Sequence, residues 1–438
     1  MTTFAELAET MQDLLTTTAD DLARETGLVK RQRKLTGSRF AQTIVFTMMA
    51  HSQPTQSQRL KNAANVGLSI SRQALEKRCD DNGTTFLREL LRAAVTKAVA
   101  VPVAIPVLAR FTAVHVLDSS IVALPDELAE HFQGGRSGTT EGPKAAMKLT
   151  VGLDLKTGTL CGPELADGRS ADLSAELAQT APPRGGLGIA DLNYFDTAKF
   201  ARWNQAGAYF LSRLKVRTAI YDPKGHRLDV VKVLQAAGDS DIDRGVKLGS
   251  QERVPCRLIA RRVPADVAAV RRKRLLDKSR RRGDKASELA LALCDWTILL
   301  TNVPRERLTV EEAIVLGRMR WQIELIFKLW KSGGGIAEWR TSNPRAALCE
   351  VYGKLLAQVV RHWVIVVGAW SRSDRSLTKA ADVVQSMAMS LGAAVRSVRK
   401  LIFLLQHIRQ IMEVAARMDK RKRAPNAHDL ILSLDPGP

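Results

Sequence analysis

The sequence predicts an α/β protein: a mixed sheet flanked by helices, interrupted by a mainly β insertion, with helical N- and C-terminal regions. Three observations carry that prediction. Residues 1 to about 100 place apolar side chains three and four apart, with Gly or Pro only at breaks. From Phe111 short apolar runs take over in the order β-β-β-α-β-α-β, three successive strands and then alternation. From residue 216 to about 304 strand-like segments flank turn residues, and helical spacing returns at Val310.

Taken in chain order, residues 1–108 form a helical region suited to binding DNA. Within it Gln58–Ala64, the break at Val66-Gly67-Leu68 and Ser71–Cys79 have helix-turn-helix proportions. Ser71 would cap the second helix, leaving Arg72 and Gln73 on its exposed first turn, where base edges are read. Two short core helices joined by a Gly turn would look the same. Residues 109–215 form the first part of the core. Phe111–Leu117 reads as a strand ending at Asp118, followed by strands at Ala146–Leu155 and Thr159–Leu165 and a helix at Ser170–Thr180. A short buried strand, Gly186–Ala190, ends at Asp191; a helix over Thr197–Ala206 and a strand at Ala208–Leu214 follow. Two aspartates thus terminate separate strands of one sheet.

Residues 216–304 read as the insertion. Tyr221-Asp222-Pro223-Lys224-Gly225 is a turn, Arg253–Arg261 and Trp296–Thr301 are strands, and a basic stretch lies between the last two. Residues 305–375 complete the core with a long helix from Val310 to about Lys331, stopped by Gly333-Gly334-Gly335. Residues 376–438 are helical and a candidate dimerisation region.

Charge points to the partner. The 438 residues carry 66 Lys+Arg against 45 Asp+Glu, a formal net charge of +21. Such an excess suits a polyanion, because each neutralised phosphate releases a condensed counterion. Eleven Lys/Arg fall between Arg261 and Lys285, and a second cluster spans Lys420–Arg423. One such run alone is equally a solvated helix face; two runs plus the global excess point to nucleic acid. Neither run has the aromatic and aliphatic opposite face of a membrane-surface helix. The longest apolar run, Ala98–Ala109, contains Pro102 and Pro106 and falls short of the roughly 18 residues that span a bilayer. The N-terminus lacks a basic leader segment, and the five cysteines show no pairing or zinc-ligand spacing, nor do the seven histidines. A cytoplasmic protein with no membrane partner is expected.

The Val310–Lys331 helix carries the densest chemistry. At about 100° per residue, Arg320, Glu324, Lys328 and Lys331 fall within about 80° of one another. Leu316, Met319, Ile323, Ile326, Phe327 and Trp330 form the adjoining apolar stripe. Taken alone, Glu324 and Lys328 are an ordinary i,i+4 surface pair. Together with Asp118 and Asp191, Glu324 makes three acidic groups from separate elements, which is what hard divalent cations require. Asp167 and Asp172 read as turn and helix-start residues.

Here the residues resemble a family. Asp118 in Val-His-Val-Leu-Asp-Ser-Ser, Asp191 in Gly-Ile-Ala-Asp-Leu-Asn-Tyr-Phe and Glu324 in Arg-Trp-Gln-Ile-Glu-Leu-Ile-Phe-Lys resemble the DDE triad of insertion-sequence transposases of the IS-four type. Arg320, Glu324 and Lys331 match that group's Y-(2)-R-(3)-E-(6)-K signature in register. Gly317 stands at its tyrosine position, and Leu192 where a basic residue often follows the second aspartate. The resemblance implies an RNase H-like core and cut-and-paste DNA transposition. Asp118, Asp191 and Glu324 would hold Mg²⁺, with Mn²⁺ able to substitute, and Arg320, Lys328 and Lys331 would contact DNA. It further implies action on terminal inverted repeats and target DNA, a homodimer in the synaptic complex, and a bacterial, nucleoid-associated setting. Hairpin-forming relatives stack a flipped base on a tryptophan in a Trp-x-x-x-Thr strand. Trp296 is the counterpart here, with Thr301 one residue further along than that spacing; packing of the insertion strand is its other reading. The alternative to the enzyme is a DNA-binding protein derived from a transposase but without catalytic activity, which Gly317 and Leu192 favour.

Overall fold

The structure, a computed structural model, describes residues 1–31, 34–135, 144–341, 343–372, 374–419, 430 and 434. The basic cluster Lys420–Arg423 lies outside the described residues. The chain forms two compact units from interleaved stretches. Of the described residues, the first takes Met1–Ala104, Asp118–Ala171 and 323–419; the second takes Ile105–Leu117 and Asp172–Gln322. The strands are β1 (Val114–Ala123), β2 (Ala146–Asp154), β3 (Leu160–Asp167), β4 (Leu187–Ala190), β5 (Tyr209–Arg213), β6 (Ile220–Tyr221), β7 (Ile242–Leu248), β8 (Val254–Arg262) and β9 (Trp296–Thr301). Among the described residues no helix is long and apolar enough to cross a membrane.

The first unit is built around two buried helices. Gly37–Ala50 is buried along nearly its whole length, as is the 22-residue helix Pro344–Ile365 from Ala347 onward. A helix covered on every side belongs to a core. Pro344 opens the second of these at its first position and Asn343 caps it, accepting from the Ala346 N–H. Charges on this helix are buried only with partners, as the cost of an isolated buried ion demands. Glu350 and Lys354 pair at 2.9 Å one turn apart. Lys354 also donates to the carbonyls of Gly335, at 3.0 Å, and Glu338. Arg361 donates to the Ala381 carbonyl at 2.7 Å, and burial pulls its guanidinium down to about 10.

β2 and β3 form an antiparallel hairpin in the same unit, from Met147↔Asp167 to Leu153↔Leu160, and every residue of β2 is buried. The hairpin turn needs its glycine twice over. Gly158 sits at φ +75°, and a Cβ there would lie 2.7 Å from the Trp370 ring. Its carbonyl meets Nε2 of the buried His362 at 2.7 Å. Near the N-terminus, helices Gln56–Asn65 and Arg72–Glu76 flank Gly67 at φ +78°, and Ser71 caps the second by accepting from the Ala74 N–H. The helix-turn-helix proportions are therefore present, with a second helix of only five residues.

The second unit is a mixed sheet in the order β1-β4-β5-β9-β8-β7-β6. β1, β4 and β5 are parallel, with Val116 opposite Ile189 and Ala190 opposite Ser212. All four residues of β4 are buried, as a strand covered on both faces should be. The crossover helix Thr197–Gln205, capped by Asp196, lays Trp203 directly on β4. A Cβ on Gly188 would fall 2.2 Å from that indole, so only glycine fits. Phe200 stacks on Phe210 of β5 at 4.4 Å between ring centroids. The strands of the insertion extend this sheet: β9 pairs with β5 through Leu211↔Thr301 and with β8 through Leu258↔Leu300. The basic stretch is an 18-residue helix, Ala265–Arg282, buried only at Ala268.

Three local expectations change. The helix expected over Ser170–Thr180 is a 3₁₀ turn at Asp172–Ser174 followed by a single helical turn, Glu176–Gln179. β1 does not end at Asp118 but continues through Ile121-Val122, whose β-branched side chains favour extended backbone. The long helix from Val310 is divided, with Val310–Met319 and Trp321–Lys328 separated at Arg320, followed by a π-turn over Leu329–Gly333.

His362 gives the fold an acid sensitivity. Burial holds its imidazole down at about 4 against an ordinary 6.5. Between those values the unfolded chain binds a proton that the folded chain excludes, so stability is full above pH 6.5 and is lost as pH falls towards 4. This group should remove about 2 kcal/mol of stability between pH 7.5 and pH 5. Urea melts at both pH values check it: His362→Gln should show a pH difference smaller by that amount.

Candidate active site

Asp191 follows β4 directly. The chain there enters a 3₁₀ turn over Leu192–Tyr194 with Asp191 at its N-cap, yet the carboxylate makes no capping hydrogen bond. The cap of the next helix is supplied instead by Asp196, which accepts from the N–H groups of Ala198 and Lys199. The carboxylate of Asp191 is left beside Nε of Arg320, at 3.8 Å, with both side chains about one-quarter exposed or less. Arg213 stands next to them for a reason of register. It follows Ser212 on β5 as Asp191 follows Ala190 on β4. Asp191, Arg213, Arg320 and Gly317 line one small recess together with Leu299 and Ile189. Sequence reasoning missed Arg213; a basic residue ending the strand after β4 is the signal that would have found it.

Asp118 lies within β1, half-buried, and its Oδ1 accepts from the Ser119 N–H at 2.8 Å. Glu324 is in the first turn of Trp321–Lys328, half-buried at the edge of the face that buries Ile323, Ile326 and Phe327. The expected apolar stripe is observed: Leu316, Met319, Ile323, Ile326, Phe327 and Trp330 are all buried. Lys328 is exposed. Lys331 departs from the 100° spacing because it sits in the π-turn, where the hydrogen bonds reach one residue further. Its Nζ donates to the Ile121 carbonyl at 3.0 Å, three residues beyond Asp118 on β1, and burial holds its amine below the ordinary lysine range. Trp339 donates to the Ala123 carbonyl on the same strand at 2.8 Å.

Trp296 shows the packing that was its other reading. It opens β9 only 8% exposed, inside the cluster formed by Ile298, Leu300, Leu258 and Trp203. The ring packs the strands of this segment, with Thr301 one residue further along than the Trp-x-x-x-Thr spacing. Arg72 and Gln73 are exposed on their five-residue helix, with Arg72 paired to Glu76 at 3.0 Å. Asp167 accepts from the Gln133 N–H at 3.1 Å and Asp172 opens a 3₁₀ turn, the local roles their context suggests. Among the described residues no three His, Cys, Asp or Glu side chains form a group able to hold a metal ion by themselves.

Comparison with known proteins falls on this same stretch. The family model described as "Transposase DDE domain" matches residues 110–360. The chain is 24% identical to the transposase for insertion sequence element IS231F of Bacillus thuringiensis subsp. israelensis, over 94% of this chain and 91% of that protein. It is 29% identical to the IS231C transposase of Bacillus thuringiensis subsp. berliner, over 77% and 75%. With the IS1151 transposase of Clostridium perfringens the identity is 23%, over 78% and 77%.

Gly317 gives a local test of the recess. A Cβ there would meet the Leu299 methyl groups at 3.5 and 3.6 Å, ordinary contact distances. Glycine inside a helix costs about 0.5–1 kcal/mol relative to alanine. Gly317→Ala should therefore stabilise the chain by about that amount in thermal or urea unfolding.

Proposed function

The chain belongs to the family of transposases that share the DDE domain, and on that premise we propose that Asp118, Asp191 and Glu324 are its catalytic carboxylates. It is a DDE transposase of the insertion-sequence kind, an enzyme that cleaves and joins DNA. The supporting observation is strand register. β1 and β4 run parallel with Val116 opposite Ile189, and Asp118 and Asp191 each follow their own member of that pair by two residues. Strand alternation returns each aspartate to the face of its predecessor.

The donor chemistry fits hard divalent cations. All three residues offer only carboxylate oxygens, at half-buried positions that water and substrate can reach. Mg²⁺ is commonly held by one or two carboxylates together with waters and substrate phosphates and needs no all-protein cage. That mode suits a chain whose described residues hold no ready-made three-ligand group. Asp118, Asp191 and Glu324 would hold Mg²⁺, or Mn²⁺ in its place, which would neutralise charge at the scissile phosphate and supply a nucleophile at neutral pH.

The chain's own residues would do the rest. Arg320 and Arg213, beside Asp191, suit the phosphates of the strand being cut. Lys331, tied to the β1 carbonyl, would bring a cation close to Asp118. Hydrolysis at an element end forms a bond from water oxygen to phosphorus as the bond to the 3′ oxygen breaks, and that oxygen leaves as a hydroxyl after taking a proton. In strand transfer the same 3′-OH replaces water as the nucleophile on target DNA. If a hairpin intermediate forms, Trp296 would hold a flipped base only by leaving the cluster in which its ring packs. The exposed basic helix Ala265–Arg282 suits backbone tracking, and two chains would be needed to bring two inverted repeats together. Work on chromosomal DNA would place the protein in the cytoplasm with the nucleoid.

The second reading, a binder without chemistry, is favoured by Gly317 at the signature tyrosine position and by Leu192 after Asp191. Nicking assays on duplexes carrying the element's own ends, in Mg²⁺ or Mn²⁺ against EDTA, separate the two. Asp118→Asn, Asp191→Asn and Glu324→Gln should each lower nicking by about three orders of magnitude or more, with gel-shift affinity within about threefold of the parent. Nicking at the parent rate by one variant would remove that residue from the triad. DNA shifted in every condition but cut in none would establish the binder.

A further inference from the structure

A cavity of the first unit has no part in the chemistry above. It measures about 520 Å³, within the roughly 300–1,000 Å³ typical of ligand sites. Its walls come from the helices Gln56–Asn65 and Arg72–Glu76 and from the stretch leading into Pro344–Ile365. Three arginines far apart in sequence, Arg59, Arg72 and Arg340, line it together with Thr341 and Asn343; among the described residues Glu76 is the one acidic residue in its wall.

The arginines are held in place. Arg59 is mostly buried, with Nη2 3.6 Å from Glu350, and its buried Nε has no hydrogen-bond acceptor among the described residues. Glu350 is fixed from its other side by Lys354, which also pins the carbonyls of Gly335 and Glu338. Arg340, exposed, is oriented by Gln53, whose Oε1 accepts from its Nε at 3.2 Å. Arg72 is oriented by Glu76, and Glu76 also accepts from Gln56 at 2.8 Å. The cleft thus has fixed guanidinium groups in excess over carboxylates, one with an unmet donor, and hydroxyl and amide groups around them. That is the chemistry of phosphate recognition.

We infer that this cleft clamps a backbone phosphate of bound DNA, with its sugar, as a sequence-independent anchor apart from the catalytic carboxylates. The inference rests on the transposase reading, which supplies the polyanion, and it gives Arg72 a phosphate contact in place of base reading. A backbone phosphate and a free phosphate share the recognising chemistry, and the test separates them.

The full-length chain is titrated with duplex DNA bearing the element ends over a range of salt concentrations. Arg72→Ala and Arg340→Ala are the variants, because both side chains are exposed and their loss leaves the Arg59–Glu350–Lys354 network intact. Each should weaken binding about tenfold. Each should also lower the slope of log affinity against log salt, by no more than about 0.9, the contribution of one phosphate. The double variant should weaken binding further, while its slope falls by no more than that same single-phosphate contribution. Parent affinity and slope in both variants would overturn the inference. So would inorganic phosphate bound at millimolar concentration by the parent and lost in the variants, with DNA slopes unchanged, since the cleft would then serve a free anion. A parent protein that neither binds nor cuts these duplexes would instead overturn the transposase reading, so the two failures are distinguishable.

Discussion

The register in which β1 lies along β4 is the constraint on which the candidate chemistry depends. Side chains alternate along a strand, so a slip of one residue would turn every group on β4 to the opposite face of the sheet. Two features resist such a slip. Gly188 is the one position on β4 where the Trp203 ring can lie against the backbone, and β4 is buried at all four residues. The pairing of Ala190 with Ser212 extends the same control to β5 and brings Arg213 beside Asp191. A site carried on strands inherits the rigidity of the sheet, while the capping of the helix after Asp191 is met elsewhere, by Asp196. That division leaves the Asp191 carboxylate outside the local hydrogen bonding of the turn.

The other unit solves a different problem, the burial of charge. Glu350, Lys354 and Arg361 all lie on a helix almost wholly out of water. Each is compensated: Glu350 with Lys354, Lys354 with two carbonyls of the stretch after the π-turn, and Arg361 with the Ala381 carbonyl. Burial lowers the basicity of both cations, the expected signature of desolvation. Such networks are poor sources of net stability but strict about geometry, because breaking one partner strands the other. Here the geometry specified is the path of the chain from Gly335 to Arg340, which follows the signature helix.

Much of the architecture could be read in the sequence because it is local. The strand at Trp296–Thr301 is found where it was expected, and Thr197–Gln205 and Tyr209–Arg213 differ from expectation only at their ends. Periodicity and turn residues suffice for such elements. What escaped was decided by contacts between distant residues. The division at Arg320 and the π-turn at Leu329–Gly333 leave no mark on a helical wheel, and the bond from Lys331 to Ile121 joins residues 210 apart. The packing partners of Trp296, Trp203 among them, are likewise distant in sequence. The arginine cleft was illegible for the same reason, since Arg59, Arg72 and Arg340 share no motif. The proposed acidic residues could be named from a resemblance, whereas the relation of Asp118 to Asp191 rests on how the strands pair.

The manner in which the 216–304 segment joins the sheet has a consequence for how such proteins diversify. The chain leaves at Arg213 and re-enters at Trp296, and the departing and returning strands are themselves partners, with Arg213 opposite Leu299. Everything between is a cassette whose two splice points are already side by side. Lengthening, trimming or exchanging it need not shift the strands that carry the aspartates, because growth proceeds outward from β9 towards β6. A lineage can therefore remodel its charged periphery, including the outlying basic helix, while the strands bearing the acidic residues stay as they are.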